Sequence, residues 1–223
     1  MGNISHRKNE EGRSMKTKKI QSARVELNRG KILDTAGYFF WQKGYIATSI
    51  DDIAKAAKMN KASIYYYFKN KAAILHELGT MNMQAMIDQV LPIANSDMPP
   101  EEKLRLFIIK HIQLLLLNLN HTGIGYKERK HLPPKLFQIY IKMRDEYEGI
   151  FRRILEEGIQ EGSLECTDAK VASLLIMGLL NSTLQWYRPE GRLSPDDIAC
   201  EIYAFISNGL KLGADRRVSI GNE

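Results

Sequence analysis

From about Val25 onward, apolar residues recur every three or four positions, and no stretch alternates in the two-residue rhythm of a strand. A chain with that pattern folds as packed helices. The first predicted helix runs from about Val25 to Lys43, with Ile32, Leu33, Ala36, Phe39 and Phe40 as its apolar stripe and Gly44 as its left-handed stop. A short helix follows Thr48 or Ser49, with Thr48 a good N-cap and Asp51 three residues on. Lys58 and Met59 form a turn, and Asn60 caps a third helix from Lys61 to Phe68. Asn70 caps a fourth, Lys71 to about Val90, which Pro92 should end. Further helices are expected after Pro99-Pro100, within 118–134 (one short helix between loops, the segment being broken by Gly123, Gly125 and Pro133-Pro134), over Leu136–Leu155, from Thr167-Asp168 and after Ser194-Pro195. The fold class is all-α, with about nine helices.

The 223 residues are enough for a sizeable core. The longest aliphatic run, Leu114 to Leu117, is far too short to span a bilayer. Two cysteines, Cys166 and Cys200, cannot build a disulfide framework, and no signal-peptide pattern opens the chain. Cytoplasm is the expected location. Met15 is an alternative start. Charge is unevenly placed: residues 1–75 hold 15 Lys and Arg against 6 Asp and Glu, and the remainder holds 17 against 20. A basic N-terminal third on a slightly acidic body suits a polyanion-binding module joined to another function, or a solvated basic surface.

Two short helices joined by a tight turn, inside the basic part, make a helix-turn-helix candidate. Ala54 and Ala57 are small where the helices must cross. The second helix places Lys61, Ser63, Tyr66 and Tyr67 on an expected outer face, with Ile64, Tyr65 and Phe68 turned inward. Lys69 and Lys71 flank it as partners for phosphate. Arg24, Arg29, Lys16, Lys18 and Lys19 form either an arm for the adjacent minor groove or a solvated tail.

The run Gly44-Tyr45-x-Ala47-Thr48-Ser49-Ile50-x-Asp52-Ile53-Ala54, followed by Lys61-x-Ser63-Ile64-Tyr65-Tyr66-Tyr67-Phe68-x-Asn70-Lys71, resembles the DNA-binding signature of TetR-type transcriptional regulators over residues 26–86. The resemblance implies a homodimer with an N-terminal helix-turn-helix domain (23–70) and a larger helical domain (71–215) that binds a small effector and dimerises. Flanking tails are expected at 1–22, disordered, and at 216–223. The resemblance places Thr48 and Ser49 on a backbone phosphate, and Lys61, Ala62, Ser63, Tyr65, Tyr66 and Tyr67 on the recognition helix. Lys71 would anchor the next helix on phosphate. Two positions depart from the family pattern: Lys58 stands where Gly is usual, requiring φ > 0 at a residue with a Cβ, and Tyr67 stands where His is usual.

More loosely, Tyr126-Lys127-Glu128-Arg129-Lys130-His131-Leu132-Pro133 and Leu184-Gln185-Trp186-Tyr187-Arg188-Pro189 resemble the acyl-CoA-responsive branch of that family. A CoA thioester needs an apolar tunnel and cations at its mouth. Ligand candidates are Phe107, His111, Tyr126, Arg129, Met143, Tyr147, Met177, Asn181, Trp186 and Arg188, with Lys127, Lys130 and Arg192 as further phosphate partners. Most of these also read as ordinary core, and Arg188 as a partner of its own helix's terminal carbonyls. The apolar helix Val171–Leu184 and the last helix, Ile198–Leu210, are the expected dimer surface. Competing readings are a sensor of cationic drugs, a lipid-binding module without a DNA role, and a non-specific nucleoid-type protein. No histidine pair has metal-ligand spacing, no phosphate-binding glycine loop occurs, and Asp51-Asp52 and Asp196-Asp197 lie in helix first turns. Neither an enzyme nor a cofactor or metal site is expected.

Overall fold

The computed structural model describes residues 3–117 and 119–211, with side chains from 21 to 210 apart from Asn118. Among these residues there are nine α-helices, one turn of 3₁₀ helix and no strand. The helices are α1 (Asn3–Lys43), α2 (Ile50–Ala56), α3 (Lys61–Tyr67), α4 (Lys71–Ala94), α5 (Pro100–Leu117), α6 (Leu119–Glu128), α7 (Pro134–Glu161), α8 (Ala169–Trp186) and α9 (Pro195–Lys211). The 3₁₀ turn, Arg129–His131, lies between α6 and α7. The chain divides into two compact units, Met1–Ile74 and Leu75–Glu223, and α4 begins in the first and continues through the second.

Several boundaries differ from the sequence expectation. Helix α1 starts at Asn3 rather than near Val25, so residues 3–22 of the expected disordered tail have helical backbone. Periodicity cannot register a helix without an apolar stripe, whereas proline-free, Lys- and Glu-rich sequence has good intrinsic propensity. The side chains of Lys16, Lys18 and Lys19, and residues 216–223, lie outside the described residues. Pro92 sits inside the last turn of α4 instead of ending it. Gly123 and Gly125 lie within α6 instead of breaking it, and both are buried.

The first unit is closed by Ile32, Leu33, Ala36 and Phe40 of α1 against Ile53 and Ala54 of α2, Ile64 of α3 and Phe68. Each large side chain removed from water in this way contributes about 1.5–3 kcal/mol. The second unit is built around α5, whose Leu104, Phe107, Ile108, Ile112 and Leu115 are buried along with Tyr147, Phe151 and Ile154 of α7 and Ile198 and Ile202 of α9. Asp168 caps α8 by accepting from the N–H groups of Lys170 and Val171, and Gly162 ends α7 at φ 74°. Ser194 and Asp197 exchange hydrogen bonds at the start of α9.

Candidate nucleic-acid interface and effector region

The position of α3 is fixed from both ends. At its N-terminus the Asn60 side chain accepts from the Ser63 N–H at 2.7 Å and from the Ser63 hydroxyl at 2.8 Å. At its C-terminus Asn28 donates to the Tyr67 hydroxyl at 3.1 Å, Arg29 donates to the Tyr67 carbonyl at 3.3 Å, and the Arg29 guanidinium lies 4.6 Å from the Phe68 ring centroid. Ile64 and Phe68 face inward. The α2–α3 turn passes through Lys58 at φ 54°, as the departure from Gly requires. Such a residue carries about 1 kcal/mol of backbone cost, and it is offset by tight hydrogen bonds from the Ala57 N–H to Ile53 and the Met59 N–H to Ala54.

The outer face of α3 consists of Lys61, Ala62, Tyr65 and Tyr66, with Lys69 beyond it, all exposed. Tyr66 is 76% exposed and Tyr65 48%. Tyr65 therefore belongs to the outer face, not the core as expected. The buried side of α3 is supplied by Ile64 and Phe68. Tyr67 goes the other way, half-buried and held by Asn28. The Ser63 hydroxyl is engaged by the Asn60 cap.

The cap of α2 is Ser49 rather than Thr48. Its hydroxyl accepts from the Asp52 N–H at 3.0 Å, and the Asp52 carboxylate accepts from the Ser49 N–H at 2.9 Å. Asp52 also accepts from the Lys43 ammonium at 2.8 Å. That hydrogen bond first, and those from Ser49 next, hold the Asp52 carboxyl well below the usual carboxylate range. Thr48 is buried at 1% exposure, and its hydroxyl donates to the Gly44 carbonyl at 2.8 Å. It is spent on the loop rather than presented to a phosphate.

Lys71 is also engaged. Its ammonium donates to the carbonyls of Tyr45 and Thr48, both at 2.7 Å, and burial lowers its pKa. A concavity of about 380 Å³ follows, lined by Ile46, Ala47, Ser49, Tyr65, Asn70 and Lys71. Four residues expected from the sequence, Thr48, Ser49, Tyr65 and Lys71, border it, and Ile46 and Asn70 join them unforeseen. Lys61 pairs with Asp51 at 2.8 Å on the surface, and that hydrogen bond raises its pKa.

In the second unit the ten ligand candidates do not line one tunnel. Phe107, His111 and Tyr147 are core: Phe107 is fully buried, its ring 4.5 Å from Phe151 and 5.2 Å from Tyr147. His111 Nδ1 lies 3.0 Å from the Tyr147 hydroxyl, and burial drives its pKa down to about 3. The rings of Phe107, His111 and Tyr147 are thus in mutual contact. Met143, Met177 and Asn181 are half-buried, and Asn181 donates to the Met177 carbonyl. Trp186 is 52% exposed, and Arg188 is exposed and donates to the Tyr187 carbonyl. Arg192 is likewise exposed.

Tyr126 and Arg129 form a different place. The Arg129 guanidinium stacks 4.3 Å from the Tyr126 ring centroid and donates to the Tyr126 carbonyl. Beside them opens a cleft of about 490 Å³ whose walls include Lys127, Arg129, Lys130, Leu132, Phe137 and Gln138. Leu132 belongs to the stretch quoted for the resemblance, whereas Phe137 and Gln138 carried no periodic or motif signal that would have placed them there.

Comparison with known proteins accounts for both units. The model described as "Tetracyclin repressor-like, C-terminal domain" matches residues 97–210, and that of "Bacterial regulatory proteins, tetR family" matches 32–78. The chain belongs to the TetR family. This TetR-family chain is 32% identical over 155 residues to the fatty acid metabolism regulator protein of Bacillus subtilis, covering 69% of this chain and 80% of that one. It is 24% identical over 184 residues to the transcriptional repressor KstR2 of Rhodococcus jostii, covering 82% and 90%. Among solved structures, the TetR-family regulator PfmR of Thermus thermophilus superposes with a TM-score of 0.76 at 29% identity, covering 81% of this chain and 98% of that one. AibR, solved with isovaleryl coenzyme A and operator DNA, superposes with a TM-score of 0.73 at 24% identity, covering 80% and 97%. The chain is thus a ligand-responsive transcriptional repressor of the TetR type, and α2–α3 is its helix-turn-helix. Among the described residues, no helix is long and apolar enough to cross a membrane.

Proposed function

We propose that this repressor works as a homodimer on operator DNA and is released by a CoA thioester of a hydrophobic acid. The 32% identity to a fatty acid metabolism regulator, extending over most of that protein, carries the effector reading. The structural neighbour crystallised with isovaleryl coenzyme A and operator DNA supports it.

In this reading the outer face of α3 enters the major groove, where Tyr65 and Tyr66 reach base edges and Lys61 and Lys69 meet phosphate. Ser49 and the concavity around it receive a backbone phosphate. Two copies present two such helices about one DNA turn apart or a small multiple of it. The second copy covers the apolar surface of α8 and α9, where Leu174, Leu175 and Phe205 are exposed beside a groove of about 1120 Å³. Effector in the second unit favours a dimer whose recognition helices no longer match the operator spacing. The protein acts where the DNA is, in the cytoplasm, and catalyses nothing.

The test is fluorescence polarisation of a labelled fragment from the chain's own upstream region. Palmitoyl-CoA should release it, whereas free palmitate, coenzyme A and a cationic dye should not. Release by the dye or the free acid, with palmitoyl-CoA inert, overturns the effector class.

A further inference from the structure

We infer that Asp51 sets the strength of operator binding by competing with DNA phosphate for the Lys61 ammonium. This inference rests on the reading of the outer face of α3 as the DNA surface. It adds a residue of α2 that holds one of that face's cations back. The outer face of α3 and the position just beyond it carry two lysines, Lys61 and Lys69, both exposed. Lys71 has its ammonium turned to the carbonyls of Tyr45 and Thr48 instead. Of the two outward lysines, Lys61 is engaged: its Nζ donates to Asp51 Oδ2 at 2.8 Å. That bond joins the first turn of α2 to the first residue of α3.

Adjacent carboxylates have different tasks here. Asp52 completes the cap of α2 with Ser49 and accepts from Lys43. The cap is complete without Asp51, whose carboxylate is turned to Lys61. Both side chains of the Lys61–Asp51 pair are more than half exposed. An ion pair so open to water holds weakly, and the dense negative charge of a duplex is able to open it. The pair also flanks the concavity beside Ser49. Ile50, which precedes Asp51, lines that concavity, and so does Tyr65, one turn after Lys61 on the same face of α3. A phosphate seated there approaches an ammonium whose charge is already balanced.

The consequence follows from counterions. Each cation that neutralises a duplex phosphate adds about 0.9 to the magnitude of the slope of log affinity against log salt. While Lys61 is shared with Asp51, most of that contribution is cancelled. Contacts from Tyr65 and Tyr66 to base edges are untouched, so Asp51 lowers the part of the affinity that carries no sequence information. Less charge attraction is then left for an effector to overcome.

The test is polarisation titration of the full-length chain on two labelled duplexes, the upstream fragment and a scrambled fragment of equal length, from about 50 to about 200 mM salt. Asp51→Asn should bind both more tightly, by about fivefold at about 0.1 M salt, with a slope steeper by about 0.9 for each copy bound. The ratio of affinities for the two duplexes should stay at the wild-type value. In a Lys61→Gln background the same change should gain less than about twofold, because its effect passes through the ammonium. Asp145→Asn, which takes a carboxylate from the exposed pair with Arg144 on α7, should match wild type on both duplexes. Unchanged or weaker binding by Asp51→Asn overturns the inference. A gain that persists undiminished in Lys61→Gln also overturns it, since Asp51 would then act as a bare charge. A wild-type chain that does not distinguish the duplexes removes the operator reading, while the gain or its absence on either duplex still decides the role of Asp51. Damage to the fold lowers binding, so it cannot produce the expected gain, and circular dichroism melting checks that the exposed Lys61→Gln change leaves the fold intact.

Discussion

The Lys71 ammonium lies 4.2 Å from the centroid of the Tyr45 ring and donates to the carbonyl of that same residue at 2.7 Å. It donates to the Thr48 carbonyl at an equal distance. A side chain expected to reach for DNA thus closes the loop between α1 and α2 onto the first turn of α4. It holds the loop that carries Ser49, the residue proposed above to receive a backbone phosphate.

Replacement of Lys71 by Met should therefore act on the fold as well as on DNA. It removes the partner of two loop carbonyls, at a cost of about 1–3 kcal/mol if they stay dry and less if water reaches them. Urea titration should show a lower midpoint, and operator affinity should fall in parallel. Unchanged stability with weakened operator binding would mean the ammonium leaves the loop for phosphate.

Tyr66 offers the opposite case. At 76% exposure it supports no core, so Tyr66→Ala should keep the melting temperature and weaken operator binding by about 1–3 kcal/mol, the value of a good base contact. Lys69→Ala should weaken all DNA sequences alike and reduce the slope of log affinity against log salt by about 1. Polarisation titrations at several salt concentrations distinguish the two effects.

How much of this was legible beforehand depended on the range of the interaction. Helix identities, the Asn60 cap and the inward Ile64 follow from spacing within a few residues, and the positive φ at Lys58 followed from the family resemblance. The Thr48–Ser49 pair shows where that stops. Either residue can cap α2, and the choice goes to Ser49 because Thr48 is drawn inward to the Gly44 carbonyl. The Asn28–Tyr67 and Lys71–Tyr45 contacts join residues far apart in sequence, and no local pattern encodes them. The glycines of α6 misled for the same reason. Gly125 reads as a breaker until the backbone of α4 is seen against it. Ligand candidates picked for aromatic or sulfur chemistry were drawn mostly from the core, because helical spacing marks burial without distinguishing a filled core from a lined cavity.

The buried pair His111 and Tyr147 makes stability depend on acid. Burial holds the folded His111 near pKa 3, against an ordinary 6.5, so the unfolded chain takes up a proton that the folded chain refuses. His76 is shifted in the same direction, also by burial. For His111, stability present above pH 6.5 is then lost as pH falls toward 3, at up to about 1.4 kcal/mol per pH unit. In His111→Phe that acid slope should become shallower between pH 6 and 4, even though the variant starts from a lower baseline because Tyr147 loses its partner. Guanidinium titrations across that range measure the slope, and an unaltered slope would place the proton uptake elsewhere.

Two glycines in the second unit should respond to the same substitution with opposite signs. Gly149 lies inside α7, and an added Cβ would meet only the end of the Arg152 side chain at 4.0 Å. Gly149→Ala removes backbone freedom from the unfolded chain and should stabilise by about 0.5–1 kcal/mol. Gly125→Ala gains the same propensity, but its Cβ would stand 3.1 Å from the Gly79 Cα and 3.3 Å from the Tyr140 ring. Backbone cannot swing aside as a side-chain tip can, so α4 and α6 must separate, and interior packing resists such shifts. Differential scanning calorimetry should therefore show Gly149→Ala melting above wild type and Gly125→Ala below it. If Gly125→Ala melts higher as well, the two helices are not held at the contact that Tyr140 borders.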